Sequence, residues 1–260
     1  MVGDIKEPEL LRRDAGGVAW LTLNRPRARN ALSVSLMTAL DAALAAVHSD
    51  PSVRVVVIGG AGPGFCAGHD MRELRSDADL PGLFAQCSQL MLRIVRLRQP
   101  VIAMVHGIAS AAGCQLVATC DLAIAGETAR FSTPGVNIGL FCSTPMVALS
   151  RAVGRKAAME FLLTGDLMTA ERAREVGLVN RAVPDAALEG AVAALAEQIA
   201  SKSPLALSIG KEAFYRQAEM PLAEAYRFAA EAMARNMRGA DAAEGIDAFL
   251  DKRDPVWTGR

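Results

Sequence analysis

The sequence predicts an α/β fold, and three observations lead to it. Short apolar runs at 53–58 (β-branched, broken only by Arg54), 101–105 and 122–125 read as strands, the first of them buried on both faces. Helical periodicities separate these runs, so the first half of the chain alternates strand and helix. From residue 143 onward strand signals nearly vanish and one helical pattern follows another.

Taken in order, 9–12 and 18–23 flank Asp14-Ala15-Gly16-Gly17, a hairpin turn between two strands. Asn24-Arg25-Pro26 ends the second strand. Ser33 or Ser35 then caps a helix that carries Leu36, Leu40, Leu44 and Val47 on one face. The strand at 53–58 leads into a Gly-rich loop at 59–68, and the polar stretch 72–79 is expected to be exposed and mobile. Phe84, Cys87, Met91 and Ile94 mark an amphipathic helix that ends near Arg98 and is stopped by Pro100. The run at 101–105 passes into GIASAAGCQ at 107–115, a turn of small residues from which a helix starts at once. Helical patterns cover 146–153, 156–163, 170–176 and 186–202, and three more are punctuated by Pro204, Pro221 and the Gly239 region. Residues 1–200 are thus expected to form the α/β core and 201–260 a helical region. The stripe of Leu222, Tyr226, Ala229 and Met233 packs either on that core or on a second subunit.

Hydrophobic residues make up 52% of the 260-residue chain, enough for a large core, while aromatics at 5% leave Ala, Val and Leu to fill it. Lys+Arg and Asp+Glu balance at 28 each, with no basic stripe or acidic tail, so nucleic acid is not an expected partner. The five cysteines show neither C-x-x-C nor paired spacing and the three histidines are scattered, so no metal or disulfide framework is expected. The apolar runs are too short to span a bilayer and no apolar signal core opens the chain. The expected setting is a reducing cytoplasm.

The chemistry centres on 107–115. Gly, Ala and Ser allow a ligand close to the backbone. The first N–H groups of the following helix lack intrahelical partners and sit at the positive end of its dipole, where a developing oxyanion can be held. A second candidate, Gly62-Pro63-Gly64-Phe65-Cys66-Ala67, matches the dinucleotide pattern G-x-G-x-x-A. A proline in the turn, a polar continuation and the lack of an acid at the end of a second strand argue against that use.

Five segments together resemble the enoyl-CoA hydratase/isomerase (crotonase) superfamily: LNRPRARNALS at 23–33, FCAGHDMREL at 65–74, QPVIAMVHGIASAAGCQLVATCDLAIA at 99–125, ARFSTPGVNIGL at 129–140 and AEGIDAFLDKRDPVWTG at 243–259. They occur in the family's order and cover nearly the whole chain. The resemblance implies a crotonase-type spiral of β-β-α turns with a helical C-terminal oligomerisation region, assembled as homotrimers or hexamers. It implies an acyl-CoA thioester as the small-molecule ligand, with coenzyme A entering as part of the substrate and no separate cofactor. It also implies that two backbone N–H groups bind the thioester oxygen, at positions that fall on Ala67 and Ala112. Cys66, Gly68, His69 and Asp70 would neighbour the CoA moiety, and Phe249 and Lys252 match positions that reach the CoA of an adjoining subunit.

One departure stands out. Hydratases of the family use two glutamates, the first one helical turn beyond the second oxyanion donor. Here that position is Gln115, and Gly135 follows Pro134 where the second belongs. An amide neither takes up nor gives a proton near pH 7. Each missing acid–base group removes a factor of about 10²–10⁴, so ordinary hydratase activity is expected to be weak while thioester binding persists. Two alternatives remain open: a non-catalytic acyl-CoA-binding or sensing protein, and a decarboxylase of malonyl-type CoA esters, whose leaving carboxylate generates the enolate. The stretch 132–145 also resembles one mitochondrial subgroup of the superfamily. Among replacement groups, His69 either titrates near the thioester or packs by the CoA chain. Cys142, Ser143 and Thr144 either line the acyl pocket or, for Ser143, cap a helix. Asn137 binds substrate or closes a turn, while Cys114, Asp121 and His106 read as structural.

Overall fold

The computed structural model describes residues 7–76 and 79–260. Strands β1 (Leu10–Ala15) and β2 (Val18–Leu23) pair antiparallel across Gly16-Gly17, both of which take positive φ. A single 3₁₀ turn, Pro26–Ala28, leads to α1 (Val34–Ser49), where the Leu36 N–H donates to the Ser33 Oγ cap at 3.2 Å. Then follow β3 (Val55–Gly60), α2 (Met71–Ser76), α3 (Leu80–Arg96), β4 (Val101–Val105), β5 (Ile108–Ser110), α4 (Ala112–Thr119), β6 (Leu122–Gly126) and β7 (Arg130–Ser132). A 3₁₀ segment, Pro134–Ile138, precedes α5 (Ser143–Ala152), α6 (Arg155–Thr164), β8 (Met168–Thr169), α7 (Ala170–Glu175) and β9 (Arg181–Val183). The chain ends in α8 (Leu188–Ala200), α9 (Pro204–Gln217), α10 (Leu222–Met237) and α11 (Ala240–Asp251).

The main sheet runs β1-β2-β3-β4-β6-β9 and is parallel from β2 onward. A small sheet, β5-β7-β8, lies beside it. Each turn of chain after β3 adds one strand to the large sheet and a short piece to the small one. The piece following β3 is only a bridge, Cys66↔Ala109. Alternation along β3 explains its unbroken apolar sequence: Val56 and Ile58 join the core cluster under α1 and α3, while Val55 and Val57 face Val192 and Ala196 of α8.

The helical end of the chain is fastened to this core by one buried cluster. Lys211 Nζ, on α9, donates to the carbonyls of Ile94 (2.9 Å) and Gln99 (3.0 Å) and to Asp121 Oδ2 (2.6 Å). Tyr215 donates to Asp121 Oδ1 (2.8 Å), and the Val101 N–H donates to Oδ2 (2.7 Å). Asp121 is therefore structural, as expected.

The structure departs from the sequence reading in several places. The strand expected at 53–58 runs two residues later, through Gly59 and Gly60. A Cβ on Gly60 would lie 2.5 Å from the Phe65 carbonyl, so the strand continues there because the loop folds back tightly on glycine. Between β4 and α4 the chain is not a simple turn, because β5 intervenes and pairs with β7. Within the polar stretch 72–79, residues 72–76 belong to α2 and are exposed or half-exposed, while 77–78 lie outside the described residues. The Gly62–Ala67 run opens no helix and instead bridges through Cys66 to Ala109, which removes the dinucleotide reading. Past residue 143, β8 and β9 are strands after all, too short for any periodicity to show.

Candidate active site

The site begins with how the 61–70 loop is tied down. Asn30, buried and at φ 55, donates from Nδ2 to the carbonyls of Ala61 and Gly64, both at 2.8 Å, and accepts the Arg25 N–H at 2.9 Å. The Cys66 N–H donates to Ile108 O (3.0 Å), and the Ser110 N–H returns to Cys66 O (2.9 Å). Burial pushes the Cys66 thiol up to about 12, despite backbone hydrogen bonds from Gly68 and Leu32. It is a packing group and not a nucleophile.

Ala67, expected as the first oxyanion donor, has its N–H engaged with the Arg29 carbonyl at 3.0 Å. Two residues on, the His69 N–H has no backbone acceptor among the described residues. Leu32 and His69 form a parallel bridge, closed by Leu32 N–H to Gly68 O (2.7 Å) and Asp70 N–H to Leu32 O (3.2 Å). In that pattern the N–H of His69 itself faces away from Leu32. Sequence matching alone could not separate Ala67 from His69, because the bonding direction alternates along an extended loop.

The opposite donor comes from α4. Its cap, Ala111, takes φ 49 and ψ −116, a conformation costly for any residue with a Cβ. It is held there by its N–H on Ser132 O (2.8 Å) and by the Gln115 N–H on its carbonyl (3.0 Å). Ala112, the first helical residue, keeps a free N–H at the positive end of the dipole. The two halves meet closely: a Cβ on Gly68 (φ 97) would sit 3.3 Å from Ala112 N and 2.9 Å from Ala111 Cβ. A Cβ on Gly113 would lie 2.1 Å from Cys66 O. Only glycine permits α4 to press on the loop this tightly.

Gln115, one turn beyond Ala112 on the same face, is 4% exposed, and its Oε1 finds no hydrogen-bond partner among the described residues. The face continues through Ala118 and Thr119 into a half-open cavity of about 1120 Å³ between α3, α4, α5 and α9, lined by Met91, Val95, Ala148 and Tyr215 among others. Thr144 lines it too, whereas Cys142 is buried and Ser143 Oγ donates to Phe141 O (3.3 Å) without capping α5.

Gly135 is buried, and a Cβ there would lie 2.8 Å from the Leu140 carbonyl and 3.0 Å from Cys142 Sγ. A side chain at the second carboxylate position would thus force the Leu140 backbone to shift. The His69 ring meets Phe84 edge-on at 5.6 Å between centroids, and beyond a weak contact with the Leu32 backbone its two buried nitrogens have no hydrogen-bond partner among the described residues. Burial lowers its pKa, so the imidazole is neutral at pH 7.

Asp70 is engaged within the chain. Its carboxylate accepts Arg25 Nη2 (3.0 Å) and the Arg72 N–H (3.1 Å). Burial opposes its ionisation, but these bonds outweigh it and hold the carboxyl below the usual range. His106 Nε2 meets Gly62 O at 2.9 Å, as a turn residue would. Phe249 (82% exposed) and Lys252 (φ 56) stand at the exposed end of α11. Lys211 and Tyr215 were not found from sequence, since neither belongs to a recognisable motif.

Residues 13–260 match the family model described as enoyl-CoA hydratase/isomerase. The mitochondrial enoyl-CoA hydratase domain-containing protein 3 of Danio rerio is 45% identical over 95% of this chain and 87% of its own length. The human protein of that name is 43% identical over 95% and 82%. Among solved structures, an enoyl-CoA hydratase of Mycobacterium smegmatis is 52% identical at a TM-score of 0.94, covering 96% of this chain and 99% of that one. Human enoyl Coenzyme A hydratase domain-containing protein 3 is 43% identical at 0.93, covering 96% and 100%. The zebrafish and human relatives are mitochondrial by name, so they lend no support to the cytoplasmic setting expected from the sequence. Among the described residues, no helix is long and apolar enough to cross a membrane. By sequence, by fold and by the crotonase-type arrangement of its two sheets, the chain belongs to the enoyl-CoA hydratase/isomerase family.

Proposed function

We propose that this chain binds an acyl-CoA thioester and polarises its carbonyl between the backbone N–H groups of His69 and Ala112, with little ordinary hydratase turnover. The observation that carries this reading is the pair of unengaged donors where Gly68 meets the N-terminus of α4. A preorganised donor of this kind is worth about 3–4 kcal/mol on a developing oxyanion, and it persists whatever side chains surround it. Gln115 and Gly135 remove both carboxylates from the water-adding machinery.

Calorimetric binding of butyryl-CoA against its S-butyl thioether analogue tests the proposal, since the analogue lacks only the carbonyl. The thioester should bind at least 10-fold tighter, and equal affinity would overturn the reading. Crotonyl-CoA hydration by the purified protein at a rate usual for hydratases would overturn the second half of it.

The absent carboxylates also favour a second reading, an acyl-CoA-binding protein without turnover. Tight binding with no product from enoyl-, 3-enoyl- or malonyl-type esters supports it, while release of CO₂ from the malonyl ester selects the decarboxylase. Either reading keeps the ligand and needs no separate cofactor or metal. We also propose self-association as a trimer or hexamer through the helical end, where Phe214, Leu222, Tyr226, Met233, Phe249 and Leu250 are all exposed. Light scattering of the eluted protein tests it, and a monomer at micromolar concentration would refute it.

A further inference from the structure

Ala112 aims its N–H only as well as Ala111 before it is held. Ala111 takes φ 49 and ψ −116, a conformation that a residue with a Cβ keeps only when its surroundings impose it. The bond that its carbonyl accepts from the Gln115 N–H lies within α4 and moves with the helix. The bond from the Ala111 N–H to Ser132 O, at 2.8 Å, is the one that ties the cap to the small sheet. Ser132 is the last residue of β7, and the Ser110↔Ser132 pair is the last rung of its ladder with β5. Terminal rungs open most readily. On this rung a side-chain bond closes the pair: Ser132 Oγ donates to Ser110 Oγ at 2.9 Å, with both residues buried. Ser110 also grips the other half of the site. Its N–H donates to Cys66 O at 2.9 Å, and its carbonyl lies 3.0 Å from where a Cβ on Gly68 would stand. Net stability does not account for two hydroxyls here, because apolar residues of the same shape at both positions would serve about as well. What a satisfied buried pair supplies is one fixed geometry.

We propose, resting on the thioester reading above, that the Ser110–Ser132 hydroxyl pair positions the Ala112 donor. It fixes the Ser132 carbonyl, that carbonyl holds Ala111 in its unusual conformation, and Ala111 sets the direction of the next N–H. The serines act through Ala111 and need no contact with the ligand. Removing one hydroxyl leaves the other buried without its partner, free to compete for the backbone groups of the same rung. Removing both leaves nothing to compete, so either single change should do at least as much harm as the double one.

The experiment measures butyryl-CoA and its S-butyl thioether analogue by calorimetry on the whole chain and on Ser110→Ala, Ser132→Ala and the double variant. The ratio of the two affinities reads the carbonyl alone, since the other contacts cancel. Each single change should lower that ratio about 3- to 10-fold while the thioether binds as before, and the double variant should lower it no further. Ser203→Ala removes a buried hydroxyl that belongs to a different cluster, where it donates to Asp241 and caps α9. It should loosen the protein and leave the ratio unchanged. In the ligand-free protein, amide exchange over 110–116 relative to α1, followed by mass spectrometry, should quicken by a similar factor in each single variant and not in Ser203→Ala. A ratio that survives both single changes, equal weakening of thioester and thioether, or effects that multiply in the double variant overturns the proposal. So does a ratio that also falls in Ser203→Ala, or unchanged exchange over 110–116. If the wild-type ratio is already close to one, the thioester reading itself has failed, while the exchange result still judges the hydroxyl pair. The two failures are thereby distinguishable.

Discussion

Replacing Gly113 with Ala tests the tight seam between α4 and the 61–70 loop. In an ordinary helix this change stabilises by up to about 1 kcal/mol, because alanine loses less backbone freedom. Here the added Cβ would stand 2.1 Å from the Cys66 carbonyl oxygen, a backbone atom tied by the Ser110 N–H. Real contacts of this kind do not close below 3.0 Å, so loop and helix must part by roughly 1 Å, and forced overpacking costs about 1–3 kcal/mol. The expected net change is a loss of about 0–2 kcal/mol, offsetting or exceeding the propensity gain. The same movement separates the His69 and Ala112 donors, and a misplacement of about 1 Å in such groups costs on the order of 10²-fold in function. Gly190 and Gly210 are internal controls, since they sit in α8 and α9 with nothing within 4 Å of an added methyl. Each should gain about 0.5–1 kcal/mol on substitution by Ala, or roughly 1–4 °C in Tm. Thermal unfolding by circular dichroism and calorimetry with butyryl-CoA provide the readouts. A Gly113→Ala protein that melts higher by the same margin as the controls and binds the thioester normally would refute the seam as described.

Asp121→Asn should cost about 3–5 kcal/mol in urea unfolding, because it leaves the buried Lys211 ammonium without its counter-charge; a loss below about 1 kcal/mol would mean the cluster is not a fastening. Gln115→Glu alone should raise crotonyl-CoA hydration above the wild-type level, with activity rising with pH above the usual carboxylate range because the buried carboxyl has no cation beside it. Gly135→Glu should add no activity and should lower stability by about 1–3 kcal/mol, given its contacts with Leu140 O and Cys142 Sγ. Glu244 is held down to about 2 by its hydrogen bonds with Arg253 and the Val256 N–H. Because that folded-state value lies below the ordinary 4.5, its contribution is present above pH 4.5 and lost as the pH falls towards 2. Trp257, whose Nε1 donates to Ser201 O, should report that release by fluorescence in a Trp20→Phe background, and Glu244→Gln should remove the transition.

The parts of the fold that could be read from residues alone were those whose cause is local. The apolar runs of β3, β4 and β6 are continuous because both faces are covered, and the Ser33 cap and the leucine face of α1 follow from helix geometry alone. β9 could not be read, since three residues at a sheet edge owe their conformation to hydrogen bonds with β6 and not to any pattern of their own. The same division runs through the site. Ala112 and Gln115 follow from where the small-residue turn meets a helix. That the Ala67 N–H is engaged could not be read, because which N–H of an extended loop is free depends on partners far along the chain, here Arg29 and Leu32. The crowding at Gly135 was equally invisible, as it arises from a carbonyl and a thiol beyond the next turn.

That crowding bears on how sequences of this kind can change over time. With the Leu140 carbonyl and Cys142 standing over Gly135, the space that a side chain there would need is already taken. Reintroducing the acid in a single step lands in occupied space, so any lineage regaining water addition must first clear that space at a site where the clearing alone brings no advantage. The order of substitutions then matters as much as their identity, since a side chain at 135 is accepted only after the Leu140 backbone and Cys142 have moved aside.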